Sequence, residues 1–140
     1  RGPLWAELQA GENVVNEKGE TVTPAQVMGE KRKGRKFSFV TDTSYLPSIA
    51  PKVAESDLFI CEGMFREDLA ESAREKKHLT ATQAANIALE AGGIEKMGLI
   101  HYSPRYTEYD LKQMLKETRS VFPNTFLSRE RQSIDIPYKE

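Results

Sequence analysis

The chain has 140 residues, 39% of them hydrophobic and 29% charged, with a formal net charge of −1. That is enough for one domain with a real core and too little for two, and the near-zero charge creates no global field toward nucleic acid. The single Cys61 excludes an internal disulfide and a cysteine zinc cluster and fits an intracellular protein, no apolar run approaches the roughly 20 residues of a membrane helix, and Arg1-Gly2-Pro3-Leu4-Trp5 is not a signal peptide.

The chain opens without an initiator methionine and reads as the second half of a longer protein. Pro3 to Leu8 is a short amphipathic helix ended by Gly11. Val14-Val15-Asn16 and Glu20 to Thr23 flank Glu17-Lys18-Gly19, the pattern of a β-hairpin with glycine in the left-handed position. Thr23 followed by Pro24 marks a helical turn through Val27. A basic run, residues 31–36, then leads into a strand over Phe37 to Val40. Such a run could meet a nucleic acid backbone or be a solvated loop, with Gly34 turning into the strand.

Asp42-Thr43-Ser44 is a loop, and Pro47 opens a helix to about Ala54. Leu58 to Cys61 is continuously apolar, as buried parallel strands are. Phe65 to Lys77 is polar, either helical or mobile. Thr80 and Gln83 form a capping box for a helix whose inner face is Ala84, Ile87, Ala88 and Ala91, and Gly92-Gly93 stops it. Met97 to Ile100 is a third strand. Thr107 caps a helix with an apolar stripe at Leu111, Met114 and Leu115. Thr125 to Leu127 and Ser133 to Ile136 are expected to pair as closing strands. Strands alternating with helices give an α/β layered domain: one mixed sheet, helices on one face, and an N-terminal β-hairpin.

The only two histidines stand at element ends, where α/β enzymes carry their chemistry. His101 follows the third strand and could be a metal ligand or an ordinary loop residue. His78 precedes a helix N-terminus, whose dipole disfavours the protonated ring; it could serve as general acid or base or be merely exposed. Asp42 could bind a cation or only shape a turn. Glu62 could orient a histidine or be a solvated loop carboxylate. Ser103 and Arg105 offer a hydroxyl and a guanidinium suited to phosphate, though Arg105 could equally be a surface ion-pair partner. Cys61 reads as a small buried hydrophobe.

Taken in order, Gly2-Pro3-Leu4-Trp5, the segment 27–35, Asp42-Thr43, Cys61-Glu62-Gly63-Met64-Phe65, His78-Leu79-Thr80 with Gln83-Ala84-Ala85, and His101-Tyr102-Ser103-Pro104-Arg105-Tyr106 resemble the C-terminal half of the ribonuclease Z family. These are tRNA 3′-end-processing endonucleases of the metallo-β-lactamase superfamily. The resemblance implies half of an αββα sandwich over residues 1–140, the N-terminal half being absent. It implies that Asp42 bridges two zinc ions, that His101 binds one of them, that His78 donates a proton to the leaving group, and that Glu62 lies beside that histidine. It also implies a tRNA precursor as substrate, a cytoplasmic setting, and an N-terminal half that brings the remaining histidine ligands. A sheet with one face bare is expected to self-associate as a homo-oligomer or to pair with that half.

The chain departs from the family pattern at Thr41, at Cys61-Glu62-Gly63-Met64, at Leu79 and at Ile100. Two readings therefore stand beside the endonuclease: a non-catalytic scaffold remnant, and half of another hydrolase of the superfamily.

Overall fold

The computed structural model describes residues 2–30 and 33–138. They fall into two compact units that divide at Lys33–Gly34.

The first unit is built by local signals. Helix α1 (Pro3–Ala10) starts on a proline, whose fixed φ suits the first helical position. It ends at Gly11 in the left-handed conformation (φ 96°). There Gly11 N–H donates to Leu8 O and Glu12 N–H to Glu7 O, which satisfies two otherwise orphaned carbonyls. Strands β1 (Val14–Val15) and β2 (Thr21–Val22) pair antiparallel. Asn16 closes their turn by accepting from the N–H groups of Lys18 and Glu20, each at 2.9 Å. Helix α2 (Pro24–Val27) is one turn, and Gln26 reaches back to accept from Thr23 N–H.

The second unit carries strands β3 (Phe37–Val40), β4 (Leu58–Glu62), β5 (Met97–Ile100) and β6 (Thr125–Leu127). Between them lie helices α3 (Ile49–Val53), α4 (Ala70–Lys76), α5 (Ala81–Ala91) and α6 (Glu108–Val121). The sheet runs β3-β4-β5-β6 and every pairing is parallel. The α/β architecture with an N-terminal hairpin is thus as expected, and among the described residues the antiparallel pairing lies in the β1–β2 hairpin, separate from the parallel sheet. Strand order equal to chain order has a consequence. Right-handed crossovers that always step in one direction lay their packed helices, here α3, α5 and α6, on the same face. That face carries Phe59, Cys61, Met97 and Leu99, packed with Ile49, Val53, Ala84, Ile87, Ala88 and Met114 from α3, α5 and α6.

On the other face the edge of the sheet is exposed. Phe37 and Phe39, at alternate positions of edge strand β3, are 55% and 56% exposed. Further along the sheet, side chains close over Gly98, where an added Cβ would stand 2.5 Å from Ile60 and 2.7 Å from Phe126.

Residues 133–136 do not form the expected strand. Their carbonyls are taken by side chains instead: Lys96 Nζ donates to Asp135 O at 2.8 Å and Arg35 to Ile136 O at 3.0 Å. The polar stretch after Phe65 is ordered, as a short 3-10 turn (Glu67–Leu69) followed by α4, which Lys77 ends at φ 59°. α3 begins at Ile49 rather than Pro47. Among the described residues no helix is long and apolar enough to cross a membrane.

Candidate metal centre and active site

In a parallel sheet all strands end on one edge, so residues just past β3, β4 and β5 converge without further design. Asp42 stands two residues beyond β3 and His101 immediately after β5. Both adopt positive φ, 49° and 61°. For residues with a Cβ that costs about 1–2 kcal/mol each, and such turns cluster where a side chain must be aimed. Here they aim at each other: His101 Nδ1 lies 3.1 Å from Asp42 Oδ1.

Glu62 is the last residue of β4 and is fully buried, so the solvated-loop alternative is excluded. Burying a carboxylate is costly unless its oxygens are occupied, and three donors occupy them. Thr43 N–H meets Oε1 at 2.6 Å; His78 Nδ1 and Leu79 N–H meet Oε2 at 2.8 and 3.3 Å. A carboxylate only accepts, so Nδ1 of His78 carries hydrogen and Nε2 is the nitrogen left for chemistry. Glu62 therefore fixes both the ring of His78 and the backbone beside Asp42.

His78 is held from its own side as well. Its N–H donates to Ala73 O at 2.8 Å. Two residues later, Thr80 caps α5 by accepting from Gln83 N–H and donates its hydroxyl to Glu67. The loop after β4 can pass this close to α5 because residue 63 is glycine; a Cβ there would sit 3.1 Å from the Ala81 backbone.

The result is a cluster of one carboxylate and two imidazoles. One ligand atom from each of Asp42, His78 and His101 lies within 4.8 Å of the others, and the two rings meet edge to face with centroids 5.2 Å apart. Such a hard and borderline donor set, without a thiolate, fits zinc, manganese or iron. Cys61 is no part of it: its side chain is in the core and burial pushes its thiol well above the ordinary range.

Ser103 and Arg105 do not join the cluster's hydrogen bonds. Arg105 Nε donates to the Ser103 hydroxyl at 3.1 Å, and its guanidinium lies 5.5 Å from the centroid of the Phe65 ring. Of the basic run, Lys31 and Arg32 lie outside the described residues. Lys36 is committed to the fold, its Nζ donating to Lys52 O and Ala54 O. Sequence reasoning missed a cleft of about 540 Å³ beside His78, lined by Ser44, Tyr45, Ala70, Glu71, Arg74 and Gln83. Nothing in the local pattern marks it, since three separate elements build it.

No family model matches the chain. The chain is 58% identical to ribonuclease Z of Treponema denticola over 99% of its own length and 45% of that protein. It is 40% identical to ribonuclease Z of Lachnoclostridium phytofermentans over 96% of its length and 43% of that protein. It thus spans about half the length of the curated relatives it matches. Among solved structures, a metallo-β-lactamase-fold protein of Bacillus subtilis superposes with a TM-score of 0.56 at 27% identity, over 65% of this chain and 35% of that one. The short form of human tRNase Z gives 0.57 at 24% identity, over 84% of this chain and 37% of that one, a likeness of fold. The all-parallel sheet, the residues gathered at its C-terminal rim and an identity of 58% over 99% of the chain agree: the chain belongs to the ribonuclease Z family, with the metallo-β-lactamase fold.

Proposed function

We propose that the chain is the C-terminal half of a metal-dependent endoribonuclease that removes 3′ trailers from tRNA precursors in the cytoplasm. The carrying observation is the contact of Asp42 with His101 at 3.1 Å beside a His78 ring locked by a buried Glu62. Asp42 and His101 are the metal ligands of this half, with zinc as the expected metal. A metal held there would supply Lewis-acid polarisation of the phosphodiester and a more acidic water to act as nucleophile. His78 is the general acid: it gives its proton to the 3′-oxygen released from phosphorus, which leaves a 3′-hydroxyl on the tRNA. Glu62 keeps that ring in one tautomer and one orientation. Ser103 and Arg105, already bonded to each other, are placed to meet phosphate of the bound RNA.

A catalytic zinc normally takes three protein ligands, and a binuclear centre needs more than Asp42 and His101 offer. The remaining ligands come from an N-terminal half, which also covers the face bearing Phe37 and Phe39. Without it the chain associates with itself through that face. The test is metal analysis and cleavage of a tRNA precursor, with the chain alone and with the N-terminal half restored. The expected result is a metal-loaded, active assembly and an inactive, self-associating chain. Processing by the chain alone, or an inactive assembly that carries its metal, would sink the proposal.

A further inference from the structure

The cleft beside His78 has a chemical address. Of the four clustered residues, His78 alone lines it; Asp42, Glu62 and His101 do not. In hydrolysis that leaves a 3′-hydroxyl, water adds to phosphorus, the bond from phosphorus to O3′ breaks, and the phosphate stays with the trailer. The proton of the general acid goes to O3′, so the nucleotide that owns O3′ must lie on the acid's side of the reacting phosphorus. We infer that the cleft formed by Ser44, Tyr45, Arg74 and Gln83 binds that nucleotide, the last one retained by the tRNA. This inference rests on the role given to His78 above.

The lining suits such a ligand. Tyr45 lines the cleft and is 37% exposed. Its hydroxyl donates to Glu90 on α5 at 3.0 Å, which tethers the ring before anything binds. A preplaced aromatic ring stacks on any base, whatever its identity. Arg74 stands on α4 with its side chain 78% exposed and pairs with the comparably exposed Glu71. A guanidinium in that position can exchange a weak surface partner for an RNA phosphate.

A double-mutant cycle between protein and substrate tests the assignment. Tyr45→Ala is combined with an abasic residue at the last retained nucleotide, in the chain assembled with its N-terminal half. If the ring stacks on that base, each change alone lowers kcat/KM by about tenfold, and the two together lower it by about the same tenfold in total rather than by a hundredfold. Tyr45→Phe, which keeps the ring and drops the Glu90 tether, retains most of the wild-type preference for the intact base. Losses that multiply independently, or no loss with Tyr45→Ala, overturn the inference. His78→Ala, run on the same precursor, keeps the outcomes apart. If it cleaves as wild type does, the general-acid reading falls and takes the inference with it. If it is slow while Tyr45 shows no coupling, only the nucleotide site is wrong.

Discussion

The helix-covered face of the parallel sheet and its C-terminal rim are made by the same three strands, yet they obey different rules. On the covered face Phe59, Cys61, Met97 and Leu99 are fully buried, and each is replaceable in principle by another apolar group of similar volume. At the rim, one or two residues further along, Asp42 is 69% exposed and His101 37% exposed, and both hold strained turns. Burial there contributes little, and geometry is everything. Glu62 shares traits of both regions: it is buried like the core and hydrogen-bonded like the site. The chain thus keeps stability and chemistry on neighbouring residues of single strands, with one carboxylate as the joint between them.

The sharpest way to break that separation is at His78. In the assembled protein, His78→Ala should cut the rate of precursor cleavage by about 10²- to 10⁴-fold, the range for loss of a general acid. Its side chain is only 19% exposed, but it contributes a tethered polar ring rather than core packing. Thermal unfolding should therefore move by no more than a few degrees. A variant that loses activity only in proportion to its loss of folded protein would show that the rim is structural.

The opposite case is Leu99, two residues before His101 and fully buried. Leu99→Ala should destabilise by about 2–5 kcal/mol through lost transfer energy and a residual cavity. Activity per folded molecule, measured at low temperature, should stay within a few fold of wild type. A specific activity that falls a hundredfold would mean that core packing sets the rim's geometry directly.

Much of this division was legible in the sequence. Strands β3, β4 and β5 are short, largely apolar runs, and the caps at Thr80 and Thr107 are local hydrogen-bond chemistry that a spacing of three residues already encodes. The rim positions followed from strand ends, and the family resemblance supplied the roles proposed for them. Other features depend on partners distant in sequence. Nothing around Glu62 says that it is buried, because its donors arrive from residues 43, 78 and 79. The segment 133–136 has strand-like alternation, yet Lys96 and Arg35 claim its carbonyls. Residues 65–77 lack apolar periodicity and are nevertheless helical in part, anchored by Phe65 and Ala73, which are buried against the rest of the unit.

Glu62 itself allows an intermediate test. In Glu62→Gln the amide nitrogen cannot accept from Thr43, His78 or Leu79, so one of three donors loses its partner or the ring of His78 turns over. The expected loss is about 10- to 100-fold in activity or metal affinity, as for other groups that orient a functional histidine. Stability should fall by about 1–3 kcal/mol, as when a buried donor is left unsatisfied. Both losses should appear together; a purely kinetic or purely thermodynamic effect would separate Glu62 from one of its two regions.

The smallest expected effect lies away from both. Arg66 reaches Glu117 on α6 with Nη2 to Oε1 at 2.5 Å and Nε to Oε2 at 3.4 Å, a forked pair whose side chains are 25% and 39% exposed. The fork is better aligned than most surface pairs, but water still screens it, so a double-mutant cycle should give at most about 1 kcal/mol of coupling. That coupling should shrink in high salt. The same cycle also isolates a second role of residue 66, because its N–H donates to the Tyr106 hydroxyl at 2.8 Å and survives every side-chain substitution. If Arg66→Ala costs appreciably more than the coupling energy, the excess belongs to packing of its stem against the loop that follows Phe65, not to its charge.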